Sequence, residues 1–195
     1  MKKYAFYLTI LLFSTGLVLQ AQTEDNKLKL YRLDVSAGLY TSKDIYYSIE
    51  FNTSDTWGKN STATYFLSTS FYRKKRTEVG LAFGYQKPDL EDRVITGNNG
   101  ATGTMDVQYL TIMPQVRFNW ITSEDNLFEM YSIFGFALTF VDETYTNDVR
   151  ADGFYPVPGA HVTGLGLRFG DKFGGFVEIG FGSKGLMSGG LSYRL

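Results

Sequence analysis

The sequence contains no cysteine and a single histidine, His161. Without cysteine there can be no disulfide, thiolate nucleophile or cysteine-ligated metal. With one imidazole, a His-based metal site or a Ser–His–Asp centre has only one possible base to draw on. Beyond its first 19 residues the chain has no long apolar run, and its mean hydropathy of -0.14 gives no sign of membrane helices. A net charge of -1 argues against a nucleic-acid footprint. What the chain has in quantity is aromatic residues and glycine: 16 Phe, 14 Tyr and 21 Gly against only 4 Pro. That balance suits strands whose backbones approach closely.

The opening "MKKYAFYLTILLFSTGLVLQAQ" combines a basic start at Lys2 and Lys3, an apolar stretch from Tyr4 to Leu19 and a small residue, Ala21. This is the pattern of a secretory signal cleaved near Ala21. It divides the chain into a leader over 1–21 and one domain over 22–195, and it predicts export.

The remainder repeats with period two, not 3.6. In 31–41, Leu33, Val35 and Leu39 alternate with Arg32, Asp34 and Ser36. In 78–86, Val79, Leu81, Phe83 and Tyr85 alternate with Gly80, Ala82, Gly84 and Gln86. Similar runs occupy 63–72, 107–120, 127–141, 162–170 and 175–182. The closing "LMSGGLSYRL" sets Met187, Leu191, Tyr193 and Leu195 against Ser188, Gly190, Ser192 and Arg194. Eight strands result. Tight turns at 73–76, 122–126 and 171–174 alternate with long excursions at 42–62, 87–106 and 142–161, and 183–185 forms a brief link. Short turns at one end and long loops at the other are the layout of an outer-membrane barrel. Residues 45–51 are read as a ribbon projecting from the first loop, and Asn99-Gly100 marks a similar projection in the second.

The polar faces are dominated by Gly, Ser, Ala, Thr and Arg, with almost no Lys, which suits a narrow lumen better than a solvated surface. The apolar faces of eight strands would overfill such a lumen, so they are expected to point outward. Arg32, Arg117, Arg168 and Arg194 then share the interior with Asp34, Glu78, Glu129 and Glu178. Four guanidinia matched by four carboxylates predict a charge-paired network and a plugged barrel. Tyr31, Tyr65, Tyr85, Trp120, Tyr145 and Tyr193 fall near strand ends, where they could form aromatic girdles.

Through its leader, its eight alternating strands, the "YLTIMPQVRFNW" strand and the final "GGLSYRL", the chain resembles the small outer-membrane β-barrel family of Gram-negative bacteria. The likeness is to the outer membrane protein beta-barrel domain proteins of Bacteroidota in particular, with a layout similar to OmpX-like and OmpA transmembrane barrels. It implies an all-β, eight-stranded, antiparallel up-and-down transmembrane barrel with short periplasmic turns and long extracellular loops, located in the cell outer membrane. It also implies that Tyr193 and Leu195 serve as the insertion signal read by the barrel-assembly machinery. Leu195 departs from the commoner terminal Phe. The implied surroundings are outer-membrane lipid and lipopolysaccharide, with an extracellular partner met through the loops, no nucleic acid and no cofactor.

Other motifs yield to plainer readings. "GAHVTG" around His161 distantly resembles barrel lipid A deacylases, but Thr163 stands where a serine is wanted and Glu178 falls on the opposite parity. His161 therefore reads as a loop-to-strand residue near the membrane rim. "GLGLRFG" (164–170) lacks Rossmann spacing and reads as a lumen-facing glycine row. "RKKR" (73–76) reads as a solvated turn, and "FYPVPG" (154–159) as a stiff loop. The expected function is non-enzymatic, a plugged barrel acting through its surface loops or supporting the envelope. The alternatives are a narrow OmpW-like channel, favoured by the lumen glycines, and, ranked last, a lipid-modifying enzyme.

Overall fold

The structure is a computed structural model that describes residues 30–41, 63–74, 76–88, 94–96, 102–146 and 151–195. The alternating segments form nine strands: β1 (Arg32–Leu39), β2 (Thr64–Lys74), β3 (Thr77–Gln86), β4 (Val94–Thr96), β5 (Thr102–Thr122), β6 (Phe128–Tyr145), β7 (Gly153–Phe169), β8 (Phe173–Gly182) and β9 (Met187–Arg194). Eight of them close into a ring in the order β3-β2-β1-β9-β8-β7-β6-β5, and the β5–β3 pairing completes it. Every pairing is antiparallel, and no helix occurs among the described residues. Closure leaves no strand of the ring with an open edge along its whole length. The chain is an eight-stranded antiparallel β-barrel. Short β4 stands outside the ring and pairs only with the start of β5, Val94 opposite Thr104. That pairing makes the projecting hairpin expected around Asn99-Gly100, whose turn lies outside the described residues, as do 45–51 and the leader.

The strands differ in length. β5, β6 and β7 run for 21, 18 and 17 residues, while the other five ring strands have 8 to 11. β4–β7 therefore continue as a sheet beyond one rim. Much of what reads as loop over 87–106 and 142–161 is strand, and on β5 the same alternation runs back through Met105 and Gly103. Tight connections join β2–β3, β5–β6 and β7–β8 at the other end. There Arg32 of β1 lies opposite Arg194 of β9, so both ends of the ring meet on the short-turn side.

Sidedness follows the pleat. Each ring strand carries a large apolar side chain to the exterior: Val35, Leu67, Tyr85, Val116, Phe136, Val162, Ile179 and Leu191 are all 42% or more exposed. Their neighbours point inward, and Arg32, Glu78, Glu129, Arg117 and Arg168 are at most 3% exposed. The usual arrangement of a water-soluble domain is inverted.

Three β-bulges shift this parity among the described residues: Phe71 is the extra residue in β2, Trp120 in β5 and Gly164 in β7, the last displacing the register with both β6 and β8. A bulge inserts an unpaired residue and exchanges the two faces for the rest of its strand. At the last of them Gly164 faces outward and Gly166 inward, so "GLGLRFG" does not form the continuous lumen row that unbroken alternation predicts. The same bulge brings His161 and Glu178 onto one interior face. Strict alternation puts them on opposite faces.

Candidate functional site: the charged interior

The interior fills in layers. At the short-turn end Arg32 Nη2 donates to both carboxylate oxygens of Glu129, at 3.1 and 2.9 Å, and to Glu78 Oε1 at 3.3 Å. Arg194 Nη2 approaches Glu129 Oε1 to 2.6 Å, and Asn119 Nδ2 donates to Glu78 Oε1 at 3.0 Å. The two remaining arms fasten the turns. Arg194 Nη1 donates to the Asn126 carbonyl at 3.0 Å. Arg168 holds no carboxylate: its guanidinium donates to the Gly170 and Asp171 carbonyls, and its Nε donates to Ser192 Oγ at 3.0 Å. Charge-assisted bonds of this kind are the strong class of hydrogen bond.

The middle layer is organised by Arg117 and Glu178. Arg117 Nη2 donates to Asp34 Oδ2 at 3.0 Å and lies 4.0 Å from Glu178 Oε1. Its guanidinium sits 3.9 Å from the centre of the Tyr131 ring, a cation–π contact. Glu178 accepts from Tyr131 Oη and Ser188 Oγ, each at 3.0 Å, and has Lys184 Nζ at 3.8 Å. Of the eight charges selected from the sequence, all line the interior, and all but Arg168 take part in carboxylate–guanidinium pairs.

Lys184 is the cation that sequence reasoning misses. It lies in the link between β8 and β9, which reads as a brief polar turn, yet Ser183 and Lys184 are only 3% and 2% exposed. Flanking Gly182 and Gly185 have φ of 119° and 98°, a region favoured by glycine alone. They fold the turn back into the barrel mouth, where the Leu186 N–H donates to the Leu39 carbonyl at 2.9 Å. The two glycines bracketing the Ser–Lys pair are the available signal.

Above Glu178 lies an apolar layer of Phe66, Ala82, Met113 and Ala137, with Lys184 Nζ 5.9 Å from the centre of the Phe66 ring. Glycines make room for these side chains. A methyl on Gly84 would lie 2.4 Å from the Phe66 ring, and one on Gly166 would lie 2.3 Å from the Tyr131 ring. The space left by the lumen glycines is occupied by neighbouring rings. His161 stands at the last pairing of β7 with β8, near the rim as expected, with its side chain turned inward and 1% exposed. Its Nδ1 accepts from the Lys184 N–H at 3.4 Å, so Nε2 carries the proton and donates to Thr163 Oγ1 at 3.0 Å. Among the described residues no group of three or more His, Asp or Glu could hold a metal ion.

On the outer wall Tyr65 and Tyr85 face each other toward the long-link end, 61% and 45% exposed. Trp120 and Tyr193 are 53% and 45% exposed near the short-turn end, beside half-buried Tyr31. Tyr145 departs from this pattern. It packs inward on the projecting sheet against Met105, Val107, Tyr109 and Val141, and its Oη donates to Glu143 at 2.9 Å. Leu195 is 64% exposed, and its N–H donates to the Tyr31 carbonyl at 3.1 Å, beside the β1–β9 seam. One polar chain crosses the outer wall. Trp120 Nε1 donates to Ser132 Oγ at 2.9 Å, and Ser132 Oγ donates to the Gly164 carbonyl at 2.8 Å. Trp120 and Gly164 are the bulged residues of β5 and β7, and Ser132 lies between them on β6.

No protein-family model matches the chain, and no curated protein matches it. Among solved structures it is similar to the N-terminal β-barrel domain of Pseudomonas aeruginosa OprF, with 10% identity over 85% of this chain and 96% of that one, at a TM-score of 0.48. It is also similar to Ail, the attachment invasion locus protein of Yersinia pestis, with 11% identity over 85% of this chain and 97% of that one, at a TM-score of 0.45.

Proposed function

We propose that the chain is an integral outer-membrane β-barrel without enzymatic activity, sealed through its lumen, that presents the projecting sheet and long links at the cell surface for contact or envelope integrity. The observation that carries this reading is the inversion of sidedness around a closed ring: paired charges inside, large apolar side chains on every strand outside. In water that exterior would cost about 25 cal/mol per Å² of apolar surface, and monomers rarely leave so large a contiguous patch uncovered. In a bilayer the same surface is in its own solvent. Closure matters equally, since every ladder bond of a membrane strand must be met within the protein. Tyr65 and Tyr85 toward one end and Trp120 and Tyr193 near the other suit the two interfacial girdles. Tyr193 and Leu195 on β9 are the proposed signal for the barrel-assembly machinery, with outer-membrane lipid and lipopolysaccharide as the surroundings. Export through a leader over 1–21 belongs to the same proposal.

The sealed lumen is favoured over a channel by what fills it. The ion-pair layers, the Phe66–Met113 layer and the inward Lys184 turn succeed one another along the barrel, and the glycines that suggested open space are covered by Phe66 and Tyr131. Enzymatic chemistry is disfavoured by the burial of His161, whose nitrogens face Lys184 and Thr163. The test is single-channel recording from refolded protein in a planar bilayer. Silence from protein whose gel mobility reports a folded barrel is expected; steady discrete openings would overturn the sealed reading.

A further inference from the structure

Inside the ring, the arc made by β2 and β3 is lined by small side chains. In register across β1, β2, β3 and β5 run Arg32–Ser70–Gly80–Gln115 and, one step on, Asp34–Ser68–Ala82–Met113. The two central strands give these rows only Ser, Gly and Ala, while β1 and β5 bring long polar groups to either side. The apolar layer of Phe66 and Met113 closes this stretch above.

Polar atoms without partners gather along the arc. Arg32 Nε and Nη1, Arg117 Nε and Nη1, Ser68 Oγ, Asp34 Oδ1 and Gln115 Oε1 are buried and have no hydrogen-bond partner among the described residues. The five residues are at most 4% exposed, and a buried polar group left unmet is costly. Asp34 draws three of them together. It is the register partner of Ser68, shares a face with Arg32 two residues away, and accepts from Arg117 Nη2 at 3.0 Å. Donors lead the set, because each guanidinium brings Nε–H and both hydrogens of Nη1, against two bare acceptor oxygens.

Charge decides what would meet these donors. Among the described residues the interior holds five cations, Arg32, Arg117, Arg168, Arg194 and Lys184, against four carboxylates, Asp34, Glu78, Glu129 and Glu178. Lys184, carried inward by its turn, is the cation in excess. His161 adds no charge, since its Nδ1 accepts from the Lys184 N–H. A buried water satisfies single donors and leaves the extra charge in place. An anion satisfies the same donors through charge-assisted bonds and cancels that charge.

We infer that the lumen holds one small monovalent anion, of the size and charge of chloride, in front of Ser68 on the β2–β3 arc, among the unmet N–H groups of Arg117 and Arg32 and the Ser68 hydroxyl. The inference rests on the interior being closed to bulk water, and it gives the sealed lumen a ligand.

The test is urea unfolding of refolded protein in detergent micelles, with sodium gluconate replaced stepwise by sodium chloride at constant ionic strength. Gluconate is too large for a space between packed side chains. For the wild type, the unfolding equilibrium constant should fall by up to about tenfold for each tenfold rise in chloride above its dissociation constant. Lys184→Met removes the excess charge, and Arg117→Lys keeps a cation beside Asp34 without Nε and Nη1; each should lose most of the chloride dependence. Lys172→Met, on the exposed β7–β8 turn, removes a cation outside the lumen and should keep all of it. If Arg117→Lys fails to fold, Lys184→Met decides alone. A wild type indifferent to chloride, a folded Lys184→Met protein that keeps the full dependence, or a Lys172→Met protein that loses it equally would overturn the inference. An open lumen shows as conductance in the planar bilayer and a missing site as a flat chloride response, so the two readings fail separately.

Discussion

Arg32 and Glu129 stand 97 residues apart in sequence, yet one guanidinium nitrogen of the first bonds both carboxylate oxygens of the second. The contact spans the lumen from β1 to β6, strands on opposite arcs of the ring. Glu129 is 0% exposed and also carries Arg194 at 2.6 Å, so it is the anion shared by two cations.

Removing that anion is therefore expected to cost more than removing either cation. Glu129→Leu leaves Arg194 without a carboxylate and Arg32 with Glu78 alone, a loss of about 3–5 kcal/mol. Arg32→Met/Glu78→Gln/Glu129→Leu/Arg194→Met should recover much of it, because an apolar or neutral replacement of a whole buried cluster is often close to neutral. Urea unfolding in lipid vesicles measures both; a quadruple variant less stable than Glu129→Leu would show that the anion is not the shared anchor.

The ring-over-glycine contacts make a second prediction. Gly84→Ala forces the Phe66 ring out of place and should destabilise by about 1–3 kcal/mol. Adding Phe66→Leu should relieve much of that cost while Gly175→Ala, whose methyl meets nothing closer than 3.8 Å, should be nearly silent. The same unfolding measurement separates the three.

On the outer wall, the bulge at Gly164 leaves a carbonyl outside the ladder, and Ser132 covers it. Ser132→Ala is expected to cost about 1–3 kcal/mol, the usual penalty for an unmet polar group away from water. If the wall faces lipid, the loss should be larger in vesicles than in detergent admitting water. An equal loss in both would argue that this face is hydrated.

Acid should weaken the turn before β6. Asp125 is held below the ordinary aspartate range by the Ser123 hydroxyl, which donates at 2.6 Å, and then by the Leu127 N–H at 3.2 Å. A folded value lower than the unfolded one contributes stability that is present above the unfolded value and fades as pH falls through the folded one. Asp125→Asn should remove that part of the acid dependence below about pH 4 and leave stability near neutrality little changed. The check is the slope of the unfolding midpoint against pH for the two proteins.

The strands were legible because alternation survives wherever one face is apolar and the other small or charged, as in Val79–Gln86. Legibility failed at the bulges, where one inserted residue reverses the faces: Gly164 turns outward, and His161 joins Glu178. It failed again at Lys184, since a three-residue polar turn does not announce whether it points to water or into the barrel. Tyr145 was misplaced for a different reason. Aromatics near strand ends suit a girdle, but here the strand continues beyond the rim and its inner face has an apolar cluster to fill. Which charges share the lumen could be read from parity, whereas their partners depended on the stagger of the ring and could not.

Whether the apolar face meets lipid can be asked of Trp120, which stands 53% exposed on the outer wall. The sequence has two tryptophans, so Trp57→Phe leaves Trp120 as the single reporter. In vesicles of brominated lipid its fluorescence should be strongly quenched, most by bromines placed near the interface, and protected from aqueous acrylamide. A Trp120 untouched by brominated lipid and freely quenched by acrylamide would mean that the apolar face does not meet lipid, and the outer-membrane reading would fall.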